Sequence, residues 1–192
     1  MYNLNRYGGT PTRGSEMADY PVQYETSLLL ENGSQVKLRP IRREDVPTWL
    51  AFVSRLGAHT KYLRFHHVVK DIGMDDARHY CTVDYNDTFA FVAEILRQSN
   101  LDIIAVGRYS RTGKSPVAEF ALVVEDAYHG QGIGTWIMES LAKAARDNGI
   151  TTFEGDILAE NHEMMAVLKD HGYEVDVELE AGVYHVRFPI TG

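Results

Sequence analysis

The chain has 192 residues, 44% hydrophobic and 24% charged, with a formal net charge of −8 at pH 7. That length fits one domain with a core of its own, and the composition is ordinary for a globular protein. The acidic balance and the lack of a basic run speak against nucleic acid as partner and favour a cationic one by steering. No apolar run approaches membrane-spanning length and the start lacks a signal-peptide core, so no membrane association is expected.

Residues 1–26 are rich in Tyr, Gly, Thr, Asn and Pro without periodicity. They predict a flexible N-terminal arm or a surface strap, with a homodimer arm as the functional reading. Residues 27–192 are expected to form the single domain. An Asn32-Gly33 turn precedes a first strand at Val36 to Leu38. Arg43 to Leu56 carries Val46, Trp49, Leu50, Phe52, Val53 and Leu56 at helical spacing. Thr60 to Phe65 predicts a second helical turn, and Met74 to Cys81 a short helix with Met74, Ala77 and Cys81 on one side. Cys81 is the one cysteine. It excludes an internal disulfide and a Cys-based zinc site, suits a reducing cytoplasm, and reads as core packing rather than a nucleophile. His59, His66, His67 and His79 have no metal-ligand spacing on an expected helix, so no metal is expected.

Strands follow at Phe89 to Leu96, Ile103 to Tyr109 and Val117 to Val124. The turns between them are short, which predicts an antiparallel meander, because parallel neighbours need a long crossover. Then come a helix, a strand at Thr151 to Leu158, a helix at Glu163 to Lys169, and strands near Tyr173 to Val177 and Val183 to Phe188. The expected fold class is α/β (α+β): a mixed, mostly antiparallel sheet of six to seven strands flanked by helices.

The stretch from Pro116 to Arg146 organises the rest. After the Val117–Val124 strand stands His129-Gly130-Gln131-Gly132-Ile133-Gly134-Thr135, and then Ile133, Ile137, Leu141 and Ala144 recur at helical spacing. Glycines at 130, 132 and 134 clear side chains from the backbone where that helix begins. N–H groups there lack helical partners and the positive end of the helix dipole points the same way, a seat for phosphate or diphosphate. A Walker loop requires Gly-Lys-Ser/Thr, and the chain has Gly-Ile-Gly-Thr. A Rossmann turn requires a third glycine three residues after the second, where Thr135 or Ile137 stands. A helix start with merely flexible glycines is the remaining alternative.

Gln131-Gly132-Ile133-Gly134 behind a Val-Val strand end resembles motif A of the GNAT acetyltransferase superfamily, with His129 departing from the usual first residue. Leu158-Ala159-Glu160-Asn161 with His171-Gly172-Tyr173 is similar to a later segment of that family. Leu38-Arg39-Pro40-Ile41-Arg42, followed by Glu44-Asp45, and Lys61-Tyr62-Leu63-Arg64-Phe65 resemble the opening of bacterial Pat-type protein lysine acetyltransferase domains. The likeness spans about residues 34–188. It implies a GNAT fold with strands splayed at the acyl-CoA site, acetyl-CoA as co-substrate, and an amine acceptor, a protein lysine foremost. Residues 130 to 135 would then hold the diphosphate. Leu122, Val123 and Val124 would pair with pantetheine, Val124 would offer its N–H to the thioester oxygen, and Asn161 would reach pantetheine while capping its helix. Pat proteins often carry a regulatory nucleotide-binding domain, for which 192 residues leave no room.

A lysine amine, with a pKa of about 10.4, must lose a proton before it attacks. Glu119 is the candidate base: strand alternation puts it with Ala121 and Val123, among apolar residues where a carboxylate is expensive to place. The resemblance agrees, since several GNAT protein acetyltransferases carry a base glutamate at this point. An ion pair of Glu119 with Arg108 or Arg111 is the structural alternative, and Glu94 is the second candidate base. Leu168 stands where many small-molecule relatives have an acidic tyrosine, Tyr173 reads as core packing, and Arg64 or His66 could touch acceptor or coenzyme. Transfer to a small amine or polyamine, and a silent acyl-CoA-binding module, are the alternative functions.

Overall fold

The computed structural model describes residues 19–65 and 72–190. His66, His67 and residues 1–18 of the arm lie outside them. The described strands are β1 (Thr26–Leu29), β2 (Gln35–Pro40), β3 (Thr88–Arg97), β4 (Asn100–Ser110), β5 (Val117–Val124), β6 (Thr152–Leu158), β7 (Asp176–Glu180) and β8 (Val183–Pro189). The helices are α1 (Val46–Arg55), α2 (Ala58–Phe65), α3 (Met74–Cys81), α4 (Ile133–Asp147) and α5 (His162–Asp170). The strands form one sheet in the order β1-β2-β3-β4-β5-β6-β8-β7.

Every neighbouring pair is antiparallel except β5 with β6, the pair joined through α4. This is the long crossover that parallel neighbours require. The pair holds register only from Val117–Thr152 to Glu119–Glu154, although β5 runs on to Val124 and β6 to Leu158. The two strands therefore part, and the far half of β5 keeps one backbone edge open.

Helices cover both faces. On one, α4 buries Ile133, Ile137, Met138 and Leu141 against a core that includes Phe89, Phe91, Tyr109, Phe120 and Phe153. Close approach there depends on Gly107: a Cβ at that position would stand 2.3 Å from Cγ2 of Ile137. On the other face, Trp49, Phe52 and Val53 of α1 and Ala77 and Cys81 of α3 pack on Ala90, Val92 and Val106. Burial pushes the Cys81 thiol up to about 12, which fits an inert core thiol.

Three features differ from the expectation. The sheet has eight strands; β1 carries no alternation signal because three of its four residues are exposed. The strand expected at Tyr173 to Val177 begins instead at Asp176, and Tyr173 and Val175 pack on the core from the preceding loop. Glu94 is not placed as a base. It is 5% exposed and bound to both Nε and Nη2 of Arg39, whose Nη1 and Nη2 also hold Asp45 at 2.7 Å each. Of the arm, Tyr24 stands edge-on to Phe89 at 5.4 Å, and its hydroxyl donates to Asp147 at 2.8 Å, so residues 20–25 lie strapped to the sheet.

Candidate functional site

A cavity of about 320 Å³ opens where β5 leaves β6. Its floor is the turn between β5 and α4. Gly130 and Gly132 have φ of +70° and +78°, a region closed to most side chains, and a Cβ at either would point into open space. Gly132 is the N-cap of α4 and brings no side chain to satisfy the first turn. The first backbone bond into the helix is Trp136 N–H to Gly132 O, at 3.0 Å. The N–H groups of Ile133, Gly134 and Thr135 thus have no helical acceptor, and all three residues line the cavity with Gly130 and Gly132. This fits a diphosphate seat. Gln131 is not among the lining residues; its Nε2 donates to Ala127 O at 3.1 Å and closes the turn from outside.

The wall is the open edge of β5. Glu125 N–H donates to Ile104 O on β4. Alternate residues of a strand point their N–H and C=O to opposite sides. Val123 therefore turns its backbone to β4, whereas Leu122 and Val124 direct theirs to the splay. Val123 reaches the cavity as a lining residue of the strand. The Val124 carbonyl is occupied by Nε2 of His129 at 2.9 Å, which leaves its N–H facing the gap. Nδ1 of the same ring lies 3.0 Å from Glu163 on α5. The ring thus ties the end of β5 to α5 across one wall of the cavity.

The far wall comes from α5 and α2. Asn161 caps α5 by accepting the Met164 N–H at 3.0 Å, as its position predicts, and it also lines the cavity. Met164 and Val167, one helical turn apart, complete that wall; the short stretch resembles any core-facing helix in sequence. The start of α2 is fixed by Asp126, which accepts from Gly57 N–H at 2.9 Å and from the Thr60 hydroxyl at 2.8 Å. Burial alone would raise this carboxyl's pKa, but those two donors hold it below the usual range.

Glu119 faces an adjoining cavity of about 40 Å³ that shares Leu63, Arg64, Leu122, Asn161 and Met164 with the first. It is half-buried, on the same face as Ala121 and Val123. Of its two suggested ion-pair partners, Arg111 is committed elsewhere, with Nε 2.7 Å from Asp87 and Nη1 2.9 Å from Asn148 O. Arg108 stands opposite Ala121, one pleat from Glu119 on the same face. Leu168 is fully buried, and Tyr173 stacks on His171 and leans on Phe188, so neither faces the cavity. Among the described residues no group of three His, Cys, Asp or Glu could hold a metal, and no helix is long and apolar enough to cross a membrane.

Residues 35–174 match the acetyltransferase (GNAT) domain family. Acetyltransferase PA5475 of Pseudomonas aeruginosa is 30% identical over 120 residues, which is 62% of this chain and 64% of that protein. Acetyltransferase Pat of Mycolicibacterium smegmatis is 31% identical over 150 residues, or 77% of this chain and 42% of that protein. The chain thus spans less than two thirds of either curated relative. The GNAT domain of S. lividans PAT superimposes with a TM-score of 0.80 at 28% identity, over 89% of this chain and 99% of that one. A cAMP-binding acyltransferase from Mycobacterium smegmatis shares the fold, with a TM-score of 0.60 at 24% identity over 92% of this chain and 51% of that one. With its parted strands, its glycine turn and a family match across most of its length, the chain belongs to the GNAT acetyltransferase family.

Proposed function

We propose that the chain moves the acetyl group of acetyl-CoA directly onto a primary amine, that of a protein lysine, in the cytoplasm. The observation that carries this reading is the shared wall between two cavities, one floored by unpaired N–H groups and the other holding Glu119. The coenzyme supplies an acyl group activated as a thioester. The N–H groups of residues 130 to 135 hold its diphosphate, and the open edge at Leu122 and Val124 pairs with the pantetheine amides as an added strand would. The Val124 N–H polarises the carbonyl. Glu119 takes the proton from the amine, whose nitrogen then attacks that carbonyl. A thiol with a pKa near 8.5 leaves without a protein acid, in keeping with the apolar Leu168. The likeness to Pat-type proteins favours a lysine side chain as acceptor.

Incubation with isotope-labelled acetyl-CoA and a cell lysate, read by mass spectrometry, tests the reading. Label on lysine side chains of proteins is expected. Label confined to small amines would replace the acceptor class, and bound but unconsumed acetyl-CoA with every acceptor offered would reduce the chain to a binding module.

A further inference from the structure

Arg108 is a buried cation that the transfer chemistry above leaves without a task. Only 6% of its surface is exposed, and its Nη1 has no hydrogen-bond partner among the described residues. Its guanidinium carbon lies 5.0 Å from the centre of the Tyr80 ring, a face that offsets part of the charge. Burial, and after it the nearby charge of Arg64, push its pKa down to about 10, so it remains a cation at neutral pH. A buried cation needs a counter-charge; Tyr80 and Cys81 act on it in that sense, and after them the carboxylate of Glu119.

The sheet register places the two. Arg108 pairs with Ala121 and Ser110 with Glu119, so Arg108 and Glu119 are diagonal neighbours on one face. Such neighbours stand ~7–8 Å apart, within reach of long side chains. We infer that Arg108 is a positioning residue for acyl transfer, a fixed buried charge that keeps Glu119 ionised and so able to accept the proton of the acceptor amine. This rests on Glu119 being the base. The same charge, joined by that of Arg64, disfavours the ammonium form of an amine beside it, which drives the proton in the direction that attack requires. Other titratable groups around the pair are Tyr80 and Cys81 on α3 and Glu154 and Asp156 on β6. Glu154 is 3.4 Å from Arg187 and Asp156 is 2.6 Å from His185, so each has a partner of its own.

The test needs no acceptor. In protein labelled with ¹³C at glutamate side chains, the Glu119 carboxyl resonance is assigned by its absence in Glu119→Gln and titrated by NMR. Arg108→Met is expected to raise its midpoint by about 1.5 pH units, the effect of a unit charge ~7–8 Å away at an effective dielectric constant of ~20. Arg108→Lys is expected to restore the wild-type midpoint. Arg108→Gln carries the neutral arm should the methionine variant fail to fold. If neither neutral variant folds, the lysine variant decides, and a midpoint moved by a full unit overturns the inference. A midpoint unmoved in a folded neutral variant overturns it as well. Full turnover in Glu119→Gln would instead sink the assignment of the base, and the NMR titration separates the two failures.

Discussion

Glu119→Gln is expected to lower turnover by about 10²- to 10⁴-fold, the usual worth of a positioned general base, while leaving the dissociation constant for acetyl-CoA unchanged. The substitution keeps the size of the side chain and removes only its capacity to take a proton. Glu119 lines the smaller cavity, away from the N–H groups of residues 133 to 135 that line the larger one, so coenzyme binding has no reason to change. Steady-state kinetics across pH, with calorimetric titration of acetyl-CoA, check both halves. In the wild type the rate is expected to fall in acid, as protonation of Glu119 would require, and in the variant that limb is expected to disappear. Unchanged turnover at every pH would remove Glu119 from the role.

Arg39→Ala should act on stability. Arg39, Asp45 and Glu94 are each 7% exposed or less, and one guanidinium binds both carboxylates. Burial alone would depress the Arg39 pKa, but its bonds to Asp45 and Glu94 raise it. Removing the cation leaves two buried carboxylates facing each other without compensation. Breaking a buried pair in this way costs about 3–5 kcal/mol, a large part of a domain's total stability of about 5–15 kcal/mol. Urea unfolding followed by circular dichroism measures it, and a loss below about 1 kcal/mol would show the cluster to be less dry than its geometry. The two carboxylates once open as bases thus separate by experiment, since losing Glu119 affects rate and losing the partner of Glu94 affects folding.

Much of the candidate site's geometry was legible in the sequence because the chemistry proposed for it is backbone chemistry. Glycines at 130, 132 and 134 ahead of a helix-spaced apolar run point to bared N–H groups whatever surrounds them, and the helix, the turn and the meander all stand where that pattern puts them. Asn161 declared its capping role through residue type and position. What the sequence hid depends on register and distant pairing. Glu94 and Glu119 look alike on paper, each a carboxylate in an apolar strand. Only the pairing of β2 with β3 brings Arg39 to the first, and only that of β4 with β5 brings Arg108 near the second. Gln131 sits inside the motif yet turns away from the cavity, whereas His129, the departure from the motif, joins β5 to α5. β1 escaped, and β7 was placed three residues early, because nearly all of their residues face solvent, which leaves no alternation to read.

A crystal structure with coenzyme A at saturating concentration tests the central claim most directly. The account predicts diphosphate oxygens within hydrogen-bonding distance of N–H groups between Gly130 and Thr135, with the pantetheine chain laid along Leu122 and Val124 in the gap between β5 and β6. A diphosphate seated elsewhere, or no bound coenzyme at saturation, would contradict it.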